Sequence, residues 1–215
     1  MPTASRDPAS EIPPEDALTH LAARLRDDET VASAEVIDPA TKPHLGMLVA
    51  AGPRAAKAPG DYSFVIESVR EGYLLHYGTS RLLSGVDPDL ALLAGDYLYA
   101  LGIEHLSRLG DEAAVVELSD LISLCAHVHA NASNADAEPW STTAALWSLA
   151  ALAIADGGWP EQSEAKRRAR ELYADVATRA STVAAERAQS LGVTRLLERA
   201  LIAFEVAVSR TSATT

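Results

Sequence analysis

The stretch "AALWSLAALAIA", residues 144–155, leaves the chain few ways to fold. A run this apolar has to leave water, yet crossing a bilayer takes about 20 residues. It therefore reads as a buried helix, opening near Pro139 and broken by "GGWP" at 157–160. Helical signals surround it. In "EDALTHLAARLRDD", Leu18, Leu21 and Leu25 repeat at helical spacing, with Pro14 in the first turn. "DYSFVIESVREGYLLHYGTSRLLSG" reads as one helix capped by Asp61 and closed near Gly85. "DPDLALLAGDYLYALGIEHLSRLG" takes Asp87 as its cap, Pro88 as its first residue and Gly110 as its stop. Asp111 caps the next helix, and two more, divided by Gly192, run through 162–189 and 193–210. Next to these periods there is no strand-like alternation and no repeat of 20–50 residues. The expected fold is an all-α helix bundle.

The bundle is expected over residues 61–212. Residues 1–13, rich in Pro and Ser, are expected to be a disordered tail. Residues 14–60 hold the short helix and a Pro/Gly-rich loop, "DPATKPHLGMLVAAGPRAAKAPG" at 38–60. That loop is too long for a simple connector and reads as either functional or a linker.

Charge narrows the partners. Thirty acidic side chains against 18 basic ones give a net charge of −12, which repels phosphate backbones and anionic lipid. Nucleic-acid binding is not expected. The N-terminus has no apolar core for a signal peptide, and no segment reads as transmembrane. The single cysteine, Cys125, rules out an internal disulfide and suits a reducing compartment, so a cytoplasmic location is expected. In "DLISLCAHV" it reads as a small core residue.

The helix at 88–109 is apolar on nearly every side, which predicts neighbours around most of its circumference. Gly95 and Asp96 interrupt it, and both residue types weaken a helix. By helical spacing Asp96 shares a face with Leu92, Tyr99 and Ile103, so it is expected to point inward and to meet a dedicated partner. Gly95 beside it is expected to let an adjacent helix approach closely.

"LLAGDYLYALGIEHLSRLGDEAAVVELSDLI", residues 92–122, is similar to the stretch of trans-isoprenyl diphosphate synthases in which Leu-Ala-Gly-Asp opens a Leu/Ala-rich helix. "LAGDY" most resembles the non-catalytic small subunit of heterodimeric heptaprenyl diphosphate synthases, and a weaker likeness continues through "TTAALWSLAALAIADGG" at 142–158. The resemblance covers about residues 61–180 and implies a shortened synthase fold. Catalytic members carry two DDxxD-type motifs that hold Mg²⁺ against a diphosphate. Here "LLHYGTSRLL" has Tyr77-Gly78 after His76 where Asp-Asp belongs, and Thr142 stands where the family places a lysine. The adjacent pair Asp27-Asp28 has Val31 at the last position of the motif and reads as a solvated helix end. No second aspartate-rich motif follows. The implied protein is a catalytically silent subunit with no cofactor of its own, reached by Mg²⁺ only through a catalytic prenyl diphosphate synthase. It would form a homodimer or a heterodimer through 88–130 and modulate isoprenoid chain synthesis. A stand-alone lipid- or terpenoid-binding bundle is the alternative.

Other constellations are weaker. Tyr97, Tyr99, Trp140 and Trp147 are candidates for lining an isoprenoid cavity or an interface, with core packing as the plain reading. Lys166, Arg167, Arg168 and Arg170 form the one basic cluster, either an anionic-ligand patch or a charge-laced exposed face. His105, His127 and His129 have poor spacing for a shared metal. Glu67, Arg70 and Glu71, with His76, read as helix-surface ion pairs more than as an acid/base group. No self-contained catalytic motif is present.

Overall fold

The computed structural model describes residues 12–28, 31, 34–132, 139–171 and 174–212, with side chains as far as Phe204. The chain is all-α. Its helices are α1 (Ala17–Arg26), α2 (His44–Ala50), α3 (Pro59–Tyr77), α4 (Pro88–Leu109), α5 (Glu112–Ala130), α6 (Pro139–Asp156), α7 (Pro160–Arg170), α8 (Val176–Ser190) and α9 (Thr194–Ser212). Two residue pairs form a small antiparallel ribbon, β1 (Glu35–Val36) with β2 (Leu83–Ser84).

The local signals act as read at several ends. Asp87 accepts the amide of Leu90 at 2.9 Å, and Gly110 turns the chain at φ +74°. Asp111 accepts the amide of Ala114 at 3.0 Å. Gly192, at φ +71°, separates α8 from α9. Leu18, Leu21 and Leu25 form the buried stripe of α1.

The helix in the middle of the bundle is not α4. It buries only Ala94, Gly95, Leu98, Leu101, Gly102 and Leu106 of its 22 residues, and leaves Leu92 and Leu93 in solvent. The enclosed helices are α3, with 15 of 19 residues buried, and α6, with 13 of 18. The apolar run of α6 thus lies where its composition requires. Around it pack α2, α5, α8 and α9, while α3 packs on α1, α2 and α4. One apolar cluster joins α3, α5, α6, α8 and α9; a second, smaller one lies under α1 and includes Phe64, Leu75, Leu82, Leu98 and Leu101.

Three boundaries differ from expectation. α3 starts at Pro59 and ends at Tyr77, eight residues before Gly85, because the chain turns back at 78–82 to hydrogen-bond with Glu71. The 38–60 segment is no linker: Leu45, Leu48 and Val49 of α2 enter the main core. The helix expected over 162–189 is two, α7 and α8. Its buried stripe of Ala165, Ala169, Val176, Ala180, Ala184 and Ala188 keeps helical spacing across the break, so periodicity alone gives no sign of it. Residues 1–11 of the expected tail lie outside the described residues, whereas Ile12 packs against the smaller cluster.

Candidate functional site

The seam between α3 and α4 explains the Gly-Asp pair. A β-carbon on Gly95 would lie 2.6 Å from His76 Nε2, and one on Gly72 would lie 2.8 Å from the Gly95 carbonyl oxygen. Gly102, two turns further along, faces Val69 in the same way. The glycines let two helix backbones approach where any side chain would hold them apart.

Asp96 does not point inward. Its side chain is 75% exposed and meets His76 Nε2 at 3.2 Å, without hydrogen-bond alignment. It bridges two helices as expected, but from the solvent side, because the buried face of α4 runs through Ala94, Gly95 and Leu98 instead.

The charged groups of α3 are the ones inside. Glu67, Arg70 and Glu71 are wholly buried, contrary to the helix-surface reading. Their partner, Arg81, comes from the turn after α3. Its Nη1 donates to Glu67 at 2.7 Å and its Nε to Glu71 at 2.8 Å. Glu67 also accepts the Gly46 amide at 2.8 Å, and Glu71 accepts the Ser80 hydroxyl and the amides of Arg81 and Leu82. Burial alone would raise the Glu67 pKa, but Arg81, Arg70 and the Gly46 amide outweigh it and hold the carboxyl below its ordinary range. Arg70 is pushed down to about 10 by burial and then by Arg81; its Nε and Nη2 have no hydrogen-bond partner among the described residues, and its guanidinium lies over Phe204. This ionic group clamps α2 and the 78–82 turn onto α3. His76 is not part of it.

A third cluster is aromatic and centres on Tyr73, a residue that no sequence pattern singles out. Trp140 and Trp147 both present an edge to it, and Phe204 is tilted against it. The Tyr73 hydroxyl donates to Thr143 Oγ1 at 2.9 Å, so it accepts from His129 Nε2 at 2.9 Å. Burial lowers the His129 pKa, which keeps the ring neutral in this chain of bonds. Tyr77 stacks on His129 with ring centres 4.1 Å apart, and Tyr99 stacks on His76. Trp147 is 1% exposed and is a core residue. Tyr97 lies elsewhere: it packs in the smaller cluster, and its hydroxyl donates to Asp28 at 2.5 Å. The four aromatic candidates therefore do not line one cavity.

The basic residues of α7 are already engaged. Lys166 and Arg170 both bond to Asp120 of α5, and Lys166 also reaches Glu117 at 3.0 Å. Arg167 pairs with Glu164 and Glu171, and Arg168 with Asp175. They form no single patch, and the groove of about 450 Å³ beside Lys166 and Arg170 is also lined by Glu117 and Asp120. The three histidines are apart: His105 binds Asp61 at 2.8 Å, His127 contacts the Arg170 carbonyl, and His129 sits on Tyr73. Among the described residues no three His, Cys, Asp or Glu side chains gather where they would hold a metal ion. Cys125 is buried, which pushes its thiol pKa up.

Among the described residues, large apolar side chains stay in solvent on α4, α5 and α9 and at Ile37. Leu92, Leu93 and Val116 are 51%, 63% and 67% exposed. By length and composition α5 also meets the requirement for a membrane span, with a mean hydropathy of 1.3 over a window that is 33% buried. Its Leu118, Leu121, Leu124, Cys125 and Val128 nonetheless form a stripe turned to the core. No family model, curated protein or solved structure matches the chain.

Proposed function

We propose that the chain is a catalytically silent helical subunit, similar to the small subunits of isoprenyl diphosphate synthases, that pairs with a catalytic prenyl diphosphate synthase. Pairing runs through the outer face of α4 and α5, and the chain acts on isoprenoid synthesis by shaping its partner. Mg²⁺ belongs to the partner. The observation that carries this reading is the exposure of Leu92, Leu93 and Val116 on two adjacent helices. Large apolar side chains left in solvent favour association, because covering them removes apolar area from water. The buried ionic group and the Tyr73 cluster support the silent half of the proposal: the Glu67 and Glu71 carboxylates and the Tyr73 hydroxyl are spent on Arg81, Ser80, Thr143, His129 and the backbone.

A prenyl-transfer assay with isopentenyl diphosphate, an allylic diphosphate and Mg²⁺ tests both halves. The chain alone is expected to give no product. Added to the catalytic synthase of the same cell, it is expected to change rate or product length, and Leu93→Lys is expected to cancel that change. Product from the chain alone overturns the silent role; a synthase indifferent to the chain overturns the partnership.

A further inference from the structure

A pocket of about 400 Å³ lies where the segment leading into α2 meets α9, lined by Thr41, Lys42, His44, Arg199, Ile202 and Ala203. Nine of the 18 lysines and arginines of this acidic chain are tied to carboxylates: Arg26, Arg54, Arg81, Arg108, Lys166, Arg167, Arg168, Arg170 and Arg187. Lys42 and Arg199 have none among the described residues, and they face the same pocket. The Thr41 hydroxyl, shielded from solvent, also lacks a hydrogen-bond partner. Two unopposed cations, an imidazole and an idle hydroxyl thus converge on one space in a molecule whose net charge is −12.

We propose that this pocket binds a phosphate group, carried by a small soluble molecule or by a lipid headgroup. Lys42 and Arg199 supply two positive charges, which match a phosphate monoester near neutral pH. Arginine offers it a planar fork of donors and lysine a point charge. A neutral His44 ring nitrogen adds one donor, and Thr41 lines the same pocket. Burial holds His44 below its ordinary pKa, and Arg199, Arg70 and Arg81 act in the same direction against the pull of Glu67. The charge that meets the ligand therefore comes from the two long side chains. Ile202, 61% exposed at the rim, gives an apolar edge to whatever carries the phosphate. The site is separate from the α4–α5 face and holds whether or not that face pairs.

Calorimetric titration of the full chain with inorganic phosphate at low salt is one arm of the test. The other is flotation with phosphatidylcholine vesicles containing phosphatidic acid. Saturable binding is expected in at least one arm. Lys42→Gln and Arg199→Gln are each expected to weaken it roughly tenfold, the loss of one charge-assisted contact. Both side chains are exposed, so neither variant threatens the fold. Lys57→Gln, a cation outside the pocket, is expected to leave binding unchanged. Binding to inorganic phosphate assigns the site to a soluble phosphate, and binding to vesicles alone assigns it to a lipid. No saturable binding in either arm, or binding that ignores both Lys42→Gln and Arg199→Gln, overturns the proposal.

Discussion

Helices α3 and α4 lie against each other, and their sequences suggest the opposite of the places they take. α3 carries Glu67, Arg70 and Glu71 and is enclosed; α4 carries Leu92 and Leu93 on a face that stays in water. Composition does not decide which helix a bundle encloses. What decides is whether each polar group meets a partner and how closely backbones can pack. Arg81 neutralises the carboxylates of α3 from a turn that is contiguous in space but lies 10 and 14 residues away in sequence. Gly72, Gly95 and Gly102 then bring α4 against one side of α3 only, leaving the other side of α4 free.

The strongest way to break this contrast is to remove Arg81. Arg81→Leu strips two buried carboxylates of their hydrogen-bonded guanidinium, leaving Arg70 as the nearby buried positive charge, and is expected to cost about 3–5 kcal/mol, read by urea unfolding. A loss below about 1 kcal/mol would mean that the ionic group does not hold α3 in place.

The helix seam comes next. Gly72→Ala sets a β-carbon 2.8 Å from the Gly95 carbonyl oxygen. The overpacking costs about 1–3 kcal/mol, against a helix-propensity gain of about 1 kcal/mol. A net loss of stability is expected in the same unfolding experiment. A gain would show that the two backbones are not in close contact.

Acid sharpens the contrast further. His44 and His129 are held below their ordinary pKa in the fold, first of all by burial, so their unfolded forms bind protons sooner. Stability is expected to decline as pH falls through about 6.5, the unfolded histidine value. Glu67, held low, adds a second loss below about 4.5, as the pH falls toward its folded value. A melting temperature flat from about pH 7 to pH 5 would contradict the first, and one flat from about pH 5 to pH 3 the second.

Asp96→Ala is expected to do least. An exposed side-chain contact of this kind contributes at most about 0–1 kcal/mol, so the melting temperature should barely move. A large loss would show that Asp96 has a buried role after all.

Much of the frame was legible in the sequence for local reasons. Caps at Asp87 and Asp111, stops at Gly110 and Gly192, and the apolar run of α6 act within one or two turns, where pattern and chemistry are read together. The close approach at Gly95 was legible for the same reason. The inward Asp96 and the central α4 were not, because facing depends on which neighbour supplies a partner. The burial of Glu67 and Glu71 hangs on Arg81 and on the Gly46 amide, and no periodicity links those positions. Tyr73 became a centre only once α5, α6 and α9 brought His129, Trp140, Trp147 and Phe204 around it. The basic run of α7 stayed open between a patch and a charge-laced face because the carboxylates that hold Lys166 and Arg170, Glu117 and Asp120, belong to another helix.

Sedimentation equilibrium at micromolar concentration tests most directly whether the outer face of α4 and α5 is there for a partner. The chain is measured alone and with a catalytic prenyl synthase, beside the double variant Leu93→Lys, Val116→Lys. The expected result is a dimer, with itself or with the synthase, that the double variant loses while its melting temperature stays unchanged. A wild-type chain that sediments as a monomer in both mixtures, or a double variant that associates as the wild type does, would contradict it.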